Sequence, residues 1–380
     1  MKKIALFGST GSIGTTTLKI VERFPDLFDI SVLAAHSNID LLTLQILKFH
    51  PKLVVLFDEK KSAELKARFP KQKILFGEEG LLEAAVHPLV DFVVMAIVGT
   101  AALKPTVYAL EAGKTVGLAS KEVMVAAGEL ISQIIKKTNS LLLPIDSEHS
   151  AIFQCLEGKN IADVERLILT ASGGPFFNHT KEQLSKITVE EALVHPNWNM
   201  GPKITIDSSN LINKGLEKIE ARWLFNIPGE KIEVVIHPQS IVHSFVEFID
   251  GSLLAQISEP NMIYPIQYAL TYPERKSKIL PPFDFFKNNN LQFFPPDHEK
   301  FPALSLVEEA LRMGGSAPCY LNAANEVLVH LFLRGKIAWL EILQKLENLL
   351  SAHRITYPKT IEAVLMVDQE ARSEALAIKK

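Results

Sequence analysis

The first 145 residues alternate short apolar runs with amphipathic stretches, and this alternation limits the possible folds more than any other feature of the sequence. The apolar runs carry few polar interruptions, which is typical of strands that are buried on both faces of a sheet. Strands that alternate with helices form βαβ units and therefore a parallel sheet. We predict a doubly wound α/β domain over residues 1–145. Its strands are expected at 3–7, 30–35, 52–57, 73–76, 91–98, 114–120 and 140–145.

In the rest of the 380-residue chain the pattern of apolar and polar residues changes, which indicates further domains. Residues 146–272 mix helical patterns with three closely spaced β-type runs, so we predict an α+β domain with an antiparallel or mixed sheet. Residues 273–302 contain six prolines and little periodicity, which is typical of a linker. Residues 303–380 have the pattern of a helical bundle. Its helices are expected at 303–312, 318–334, 338–351 and 359–377.

The composition narrows the class of protein. A net charge of −3 and an isoelectric point near 6.4 argue against nucleic acid as the main partner. The two cysteines, Cys155 and Cys319, are too far apart for a disulfide framework or a thiolate metal site, and they fit a reducing compartment. The sequence has no run of about 18 uncharged apolar residues and no signal or transit pattern. We therefore expect a cytoplasmic protein without a membrane partner.

A glycine-rich loop, "GSTGSIG", lies directly between the first strand and the first helix. Gly8, Gly11 and Gly14 would let the backbone turn tightly and approach a pyrophosphate, while the helix N-terminus offers free N–H groups to the anion. A tight turn without a ligand is the alternative. Because the loop lies in the first βα unit, we predict a Rossmann-type domain that binds a dinucleotide.

The end of the second strand indicates which dinucleotide is bound. An NAD site usually has an acidic residue there, which holds the ribose 2′-hydroxyl. This chain has His36, Ser37 and Asn38 instead, with no carboxylate. Neutral donors tolerate a 2′-phosphate that a carboxylate would repel, so the sequence favours NADP.

Carboxylates at two places suggest a metal site. Asp146 and Glu148 follow the last apolar run, where they could equally cap a helix and complement its dipole. Glu217 lies four residues after Asn213 on one predicted helix face, in a helix that would begin with Asp207 and Ser208 as caps. Oxygen ligands without thiolates select Mg²⁺ or Mn²⁺ over zinc.

Several other polar residues occupy positions typical of functional sites, at strand ends or in glycine- and proline-containing loops. Each has a simpler structural explanation: a solvated lysine, a turn, a structural loop or a polar helix face. These residues are Lys121 in "ASKEV", Ser172 in "TASGGPF", His195 and Trp198 in "HPNWNMG", and Lys214 beside Asn213.

The motifs together are far more specific than any one of them. "GSTGSIG", "SKE", "DSEHSA", "TASGGPF", "HPNWNMG" and "NKGLE", in this order, resemble the 1-deoxy-D-xylulose 5-phosphate reductoisomerase family. The resemblance runs from residue 3 to the C-terminal helices. It implies NADPH- and divalent-metal-dependent conversion of that phosphorylated sugar to 2-C-methyl-D-erythritol 4-phosphate, a step towards isoprenoids. It also implies a homodimer, and a catalytic and metal-binding role for residues 146–272.

The resemblance also implies a role for each motif residue. The metal ligands would be Asp146, Glu148 and Glu217. The groups at the substrate's carbonyl and hydroxyls would be Lys121, Ser147 and Glu148. The groups at its far end, mostly at the phosphate, would be Ser172, His195, Ser208, Asn213 and Lys214. Trp198 would lie over the substrate in a mobile lid. The groups at the cofactor's pyrophosphate would be Thr10, Gly11, Ser12 and Ile13, with Ser120, Glu122 and Gly201 also near the cofactor.

Two positions differ from the usual family pattern, and both lie on the cofactor side. Ser37 stands where the family often has a basic residue, and Ser120 stands where it commonly has asparagine. Two other functions remain open at this point: a metal-independent NADP-linked dehydrogenase of a small phosphorylated or acidic substrate, and a non-catalytic nucleotide sensor.

Overall fold

The computed structural model describes residues 1–198 and 200–378, which pack into two compact units. The first unit consists of residues 1–123, 131–150 and 261–282. The second consists of the described residues within 124–130, 151–260 and 283–380. Among the helices that the structure describes, none combines the length and the apolar character needed to cross a lipid bilayer.

The first unit is built on a seven-stranded parallel sheet, as the alternation predicted. Its strands are β1 (Lys2–Phe7), β2 (Phe28–Ala35), β3 (Leu53–Leu56), β4 (Ile74–Phe76), β5 (Phe92–Met95), β6 (Thr115–Leu118) and β7 (Leu142–Pro144). The intervening helices are α1 (Ser12–Arg23), α2 (Ile39–Phe49), α3 (Glu59–Arg68), α4 (Gly77–Ala85), α5 (Leu103–Glu111) and α6 (Lys121–Thr138), and α7 (Ser147–Leu156) follows β7.

The strand order is β4-β3-β2-β1-β5-β6-β7, so the chain winds outward from β1 in both directions. This reversal at β1 is a topological switch point, where doubly wound sheets bind ligands outside the carboxyl ends of their strands. The central strands are fully buried: residues 4–7 of β1 and 53–56 of β3 are 0% exposed. Burial on both faces explains why the apolar runs showed no alternation with polar residues.

The second unit contains a four-stranded mixed sheet, one of the two forms that the closely spaced β-type runs predicted. Its strands are β8 (Val164–Ala171), β9 (Ile232–Ile236), β10 (Val242–Phe248) and β11 (Leu253–Ile257), in the order β11-β10-β8-β9. β8 and β9 are parallel, whereas β10 is antiparallel to β8 and to β11. Four helices lie between β8 and β9: α8 (Lys181–Leu184), α9 (Val189–Ala192), α10 (Pro202–Ser209) and α11 (Ile212–Leu224).

The helix that follows this sheet, α12 (Ile263–Thr271), packs with the first unit rather than the second. It contacts α1, β6 and β7, and Lys2 Nζ donates a 2.6 Å hydrogen bond to the Leu270 carbonyl. Packing therefore groups residues 261–282 with the dinucleotide-type sheet. The division at 145, 272 and 302, which rests on sequence texture, stays a prediction.

The C-terminal segment forms the four predicted helices, α13 (Ala303–Met313), α14 (Ala317–Leu333), α15 (Trp339–Ala352) and α16 (Ile361–Ala377). They support the helices that carry candidate site residues. Trp339 Nε1 donates to Ser209 Oγ at 2.8 Å, and Asn325 Nδ2 donates to Asp207 Oδ1 at 2.9 Å. α14 and α15 therefore fix the position of α10 through buried hydrogen bonds, which are costly to break.

Candidate active site

The glycine loop after β1 is shaped by close backbone contacts. Gly8 has a φ of +82°, and a Cβ there would lie 2.3 Å from the Ala96 carbonyl oxygen. A Cβ on Gly14 would lie 2.3 Å from the Gly8 oxygen, so both positions require glycine. A Cβ on Gly11 would meet only the Gly8 oxygen, at 3.4 Å. Space therefore remains in front of α1.

The N-terminus of α1 faces this space without a side-chain cap. Gly11 occupies the N-cap position and offers no side-chain acceptor, and Ser12 and Ile13 begin the helix. The first N–H groups of a helix lack intrahelical acceptors and attract anions. The loop, including Thr10, therefore fits a dinucleotide pyrophosphate.

The three residues after β2 make contacts that the sequence did not predict. Asn38 caps α2 because its Oδ1 accepts from Leu41 N at 3.1 Å. The exposed His36 ring stacks on Phe57, with centroids 5.4 Å apart and planes at 21°. Lys61 Nζ donates to the Ser37 carbonyl at 3.0 Å. Sequence reasoning missed Lys61, which comes from α3 and is separated from Ser37 by 24 positions.

Lys121 is not a solvated lysine. It begins α6, directly after the N-cap residue Ser120, whose hydroxyl donates to the Ile97 carbonyl. The Lys121 side chain is only 6% exposed, and its Nζ lies 2.6 Å from Asp146 Oδ2. Glu122 follows in the first turn of the helix.

Asp146 directly precedes α7 and uses its two carboxylate oxygens differently. Its Oδ1 accepts from Ser147 N at 2.9 Å, while its Oδ2 faces the buried Lys121 ammonium. His149 Nδ1 lies 3.8 Å from the same Oδ2. Ser147 Oγ donates to Glu148, and both Asp146 and Glu148 remain half-buried. The first unit therefore presents two carboxylates and a hydroxyl beside a buried cation.

In the second unit, Ser172 and His195 form a hydrogen-bonded pair. Ser172 follows β8, and its Oγ lies 3.2 Å from His195 Nε2. His195 Nδ1 accepts from the backbone N–H groups of Asn197 and Trp198, at 3.1 and 3.0 Å. Because Nδ1 is an acceptor, the proton of the neutral ring is on Nε2, which donates to Ser172. Burial lowers the pKa of His195 to about 4, with a smaller contribution from the positive charge of Lys214.

The loop around His195 is anchored to the β9–β10 connection. Asn197 Nδ2 donates to the Pro238 carbonyl and to Ser240 Oγ, both at 2.7 Å. Trp198 is half-buried and meets the His243 ring edge-on, with centroids 6.4 Å apart. Asn199 lies outside the described residues, and Gly201 is the N-cap of α10. Movement of this loop as a lid stays a prediction.

The predicted helix start at Asp207 and Ser208 is wrong. Both residues lie in the last turns of α10, and Asp207 is bound by Lys203 at 2.8 Å. α11 begins only at Ile212, because Leu211 adopts a left-handed conformation with a φ of 68° that separates the two helices. Ser208 is nevertheless near Ser172, since a Cβ on Gly174 would lie 2.7 Å from the Ser208 carbonyl oxygen.

Glu217 is a buried residue, not part of a surface helix face. It is 1% exposed, accepts from Asn213 Nδ2 at 2.6 Å, and is ion-paired with Lys214. The predicted i, i+4 spacing therefore brings Asn213 and Glu217 together. The second unit thus gathers hydroxyls, a neutral imidazole and a cation next to one compensated carboxylate.

Comparison with known proteins assigns the family. Models described as 1-deoxy-D-xylulose 5-phosphate reductoisomerase, its C-terminal domain, and DXP reductoisomerase C-terminal domain match residues 4–128, 142–225 and 257–374. A 1-deoxy-D-xylulose 5-phosphate reductoisomerase from Protochlamydia amoebophila is 53% identical over 99% of this chain and 98% of its own length. The chain belongs to the 1-deoxy-D-xylulose 5-phosphate reductoisomerase family. The resemblance inferred from the motifs is confirmed.

Other reductoisomerases agree over the whole chain. The enzyme from Chlamydia trachomatis serovar D is 49% identical, with 99% of each chain covered. The Zymomonas mobilis enzyme, solved in complex with NADPH, matches with a TM-score of 0.94 and 41% identity over 99% of this chain and 98% of that one. A reductoisomerase solved with NADPH, fosmidomycin and magnesium matches with a TM-score of 0.95 and 40% identity, over the same shares. The reductoisomerase fold is therefore shared along the chain.

Replacing Gly14 should destabilise the protein, whereas replacing Gly11 should not. Gly14→Ala forces a Cβ onto the Gly8 and Ser9 backbone, and overpacking of this kind costs about 1–3 kcal/mol of unfolding free energy. Gly11→Ala has room for its Cβ, so it should keep its stability but crowd a bound pyrophosphate. Urea unfolding of both variants measures the free energy of unfolding, and dinucleotide titration measures the affinity for the cofactor. Equal stability of the two variants would contradict the packing argument.

His195 should make the protein less stable as the pH falls. The pKa of His195 is about 4 in the folded state, whereas an unfolded histidine titrates near 6.5. Between these values the unfolded chain binds more protons, so the unfolding free energy decreases as the pH is lowered. His195→Asn should reduce this slope by up to one proton, as measured by urea unfolding at a series of pH values. The exposed His330→Asn variant is the control, and an unchanged slope in His195→Asn would refute the assignment.

Proposed function

We propose that the protein catalyses the NADPH- and divalent-metal-dependent isomerisation and reduction of 1-deoxy-D-xylulose 5-phosphate to 2-C-methyl-D-erythritol 4-phosphate, for isoprenoid precursor synthesis. The observation that carries the proposal is identity of about half, along the full chain, with proteins of that name. The retained motif residues add support. A degenerate sensor would not need the carboxylates, the lysines and the phosphate donors together.

The proposed metal ligands are Asp146, Glu148 and Glu217. They offer only carboxylate oxygens, the donors that Mg²⁺ and Mn²⁺ prefer, and a related enzyme was solved with magnesium. Asp146 is ion-paired with Lys121 and Glu217 with Lys214, so each carboxylate has a positive charge beside it that offsets the cost of its burial. When bound, the ion would polarise the substrate's oxygens and lower a hydroxyl pKa.

The remaining polar groups suit the two ends of the substrate. Lys121 and Ser147, with Glu148, would meet its carbonyl and hydroxyls, since an ammonium and a hydroxyl can donate to developing charge on oxygen. The phosphate would be bound by Ser172, His195, Ser208, Asn213 and Lys214. In this group Lys214 supplies the positive charge and the neutral His195 supplies an N–H without adding charge. Trp198, as a lid, would exclude water from the site.

The cofactor would bind along the first unit. Gly8, Thr10, Gly11, Ser12, Ile13 and Gly14 would surround the pyrophosphate. His36, Ser37 and Asn38 would lie at the adenosine ribose, and Ser120, Glu122 and Gly201 would also lie near the cofactor. When bound there, NADPH would supply the hydride for the reduction. The free cysteines Cys155 and Cys319 are both buried, which suits a reducing cytoplasm.

The decisive experiment follows NADPH oxidation with 1-deoxy-D-xylulose 5-phosphate, with Mg²⁺, with Mn²⁺ and with a chelator. Wild-type protein should oxidise NADPH only when substrate and metal are both present. Glu217→Gln should lose at least about 100-fold in turnover, because a misplaced ligand set costs that much, and should bind Mn²⁺ more weakly. Glu308→Gln, which removes the half-exposed partner of Lys218, is the matched control.

The alternatives have distinct outcomes in this assay. Activity that survives the chelator would favour a metal-independent NADP-linked dehydrogenase. Absence of substrate-dependent oxidation with either metal would refute the proposed reaction. Wild-type turnover by Glu217→Gln at low metal concentration would remove Glu217 from the ligand set.

We also propose a homodimer, which the family resemblance suggests and strand β11 supports. β11 is an edge strand of the second unit's sheet, and its Leu253, Leu254 and Ile257 are 51%, 40% and 42% exposed. Unpaired edges with apolar side chains are normally covered. If the β11 strands of two subunits paired about a two-fold axis, the exposed edge of each strand would be covered.

A charge on this edge should therefore dissociate the dimer. Leu254→Lys should shift the mass measured by analytical ultracentrifugation from dimer towards monomer, because lysine on an edge strand opposes pairing. Leu44→Lys, at a 63% exposed leucine of α2, should leave the mass unchanged. A Leu254→Lys protein that remains dimeric would exclude β11 as the interface.

A further inference from the structure

The end of β2 has no cation of its own, although the proposed cofactor carries a phosphate there. In doubly wound domains a basic residue near this strand end accommodates the 2′-phosphate of NADP. The residues at these positions are His36, Ser37 and Asn38. The Asn38 side chain already caps α2 by accepting from Leu41 N. The positive charge must therefore come from elsewhere in the first unit.

Lys61 supplies a cation at this point. It lies in the first turn of α3, and its Nζ donates to the Ser37 carbonyl at 3.0 Å. An ammonium has three donors, of which this bond uses one. Within residues 1–198 and 200–378 no ion pair of Lys61 is found, and its side chain is exposed. The Lys61 ammonium is therefore bonded to a neutral carbonyl oxygen, and its positive charge remains available to an anion.

The position of Lys61 relative to Ser37 is held by the surrounding backbone. β2 and β3 are adjacent parallel strands, so the turns that follow them lie at the same edge of the sheet. Phe57 N donates to the Ala35 carbonyl and Asp58 N to the His36 carbonyl, both at 2.9 Å. Asp58 then caps α3 by accepting from Lys61 N at 3.1 Å. The first turn of α3 is thus fixed beside the end of β2.

The other cations of α3 are less suited to this role, and Lys66, in the last turn, has its Nζ over the Phe76 ring at 5.3 Å from the centroid. Arg68 is already engaged by Asp40 at 3.1 Å and Glu64 at 2.6 Å. Lys60 is adjacent to Lys61 in the sequence, but consecutive helical side chains point in different directions. Lys60 therefore serves as a matched control of equal charge on the same helical turn.

We propose that Lys61 binds the 2′-phosphate of NADPH and sets the preference of this protein for NADPH over NADH. The cation that the family often places at position 37 is thereby replaced by one from the next helix. The inference rests on the proposed use of NADPH. Lys61 would exchange its bond to the neutral Ser37 carbonyl for a bond to the phosphate, in which donor and acceptor both carry a charge.

Binding measurements on the purified protein test this directly. Isothermal titration with NADPH, NADH, adenosine 2′,5′-bisphosphate and adenosine 5′-monophosphate would be performed on wild type, Lys61→Met, Lys61→Arg and Lys60→Met. Lys61→Met should weaken both ligands that carry a 2′-phosphate by about tenfold, equivalent to about 1.4 kcal/mol. NADH and the monophosphate should change by less than about twofold, since they lack the 2′-phosphate and exposed charges farther away are screened. Lys61→Arg should keep most of the preference, and Lys60→Met should keep all of it.

The outcomes separate this inference from the proposed function. If wild type prefers NADPH and Lys61→Met retains the full preference, Lys61 is not the determinant although the cofactor is correct. An equal loss of affinity for the 2′-phosphate ligands in Lys60→Met and Lys61→Met would also overturn the inference. The loss would then reflect the removal of any positive charge from α3 rather than of a specific contact. If wild-type protein binds NADPH no more tightly than NADH, the proposed cofactor itself fails.

Discussion

A buried carboxylate is stable only when a positive charge or several hydrogen bonds compensate it, and the candidate site depends on two such arrangements. Desolvating an ion costs several kcal/mol, and leaving it unpaired is strongly destabilising. In the first unit the buried Lys121 is paired with the half-buried Asp146, and in the second Lys214 is paired with the buried Glu217. Each unit therefore contains its own ion-paired carboxylate. The two lysines of these pairs are also the groups proposed to meet the substrate.

Among the groups proposed to bind the phosphate, the protonation of one histidine is set by its surroundings. Burial keeps His195 neutral, and the N–H groups of residues 197 and 198 direct its proton to Nε2. The local conformation of the "HPNW" segment therefore decides which nitrogen donates to Ser172. Asn197 anchors this segment to the β9–β10 connection through two hydrogen bonds. The conformation of this loop therefore decides, through the His195 ring, which atom donates to Ser172.

The cofactor side differs from the usual family pattern at Ser120 and Ser37, and the structure shows the contacts that both residues make. Ser120 still begins α6 as its N-cap and ties the strand end to Ile97. Ser37 contributes its carbonyl, and the neighbouring helix contributes Lys61. The glycine loop has less freedom, because Gly8 and Gly14 meet backbone atoms that cannot move aside.

The parallel sheet, the helical C-terminal segment and the family could all be predicted from the amino-acid sequence, whereas the helix start at Asp207 and Ser208 was predicted wrongly. The correct predictions follow from local periodicity and from motifs whose residues are close in the chain, such as Asn213 and Glu217 one helical turn apart. Tertiary structure alone decided which charges are compensated and where elements belong. The packing of α12 with the first unit, the burial of Lys121 beside Asp146 and the position of Lys61 beside Ser37 all depend on contacts between segments that are distant in the sequence. No local pattern encodes such contacts, because they form only when the folded sheet brings its strands, and the helices and turns beside them, together.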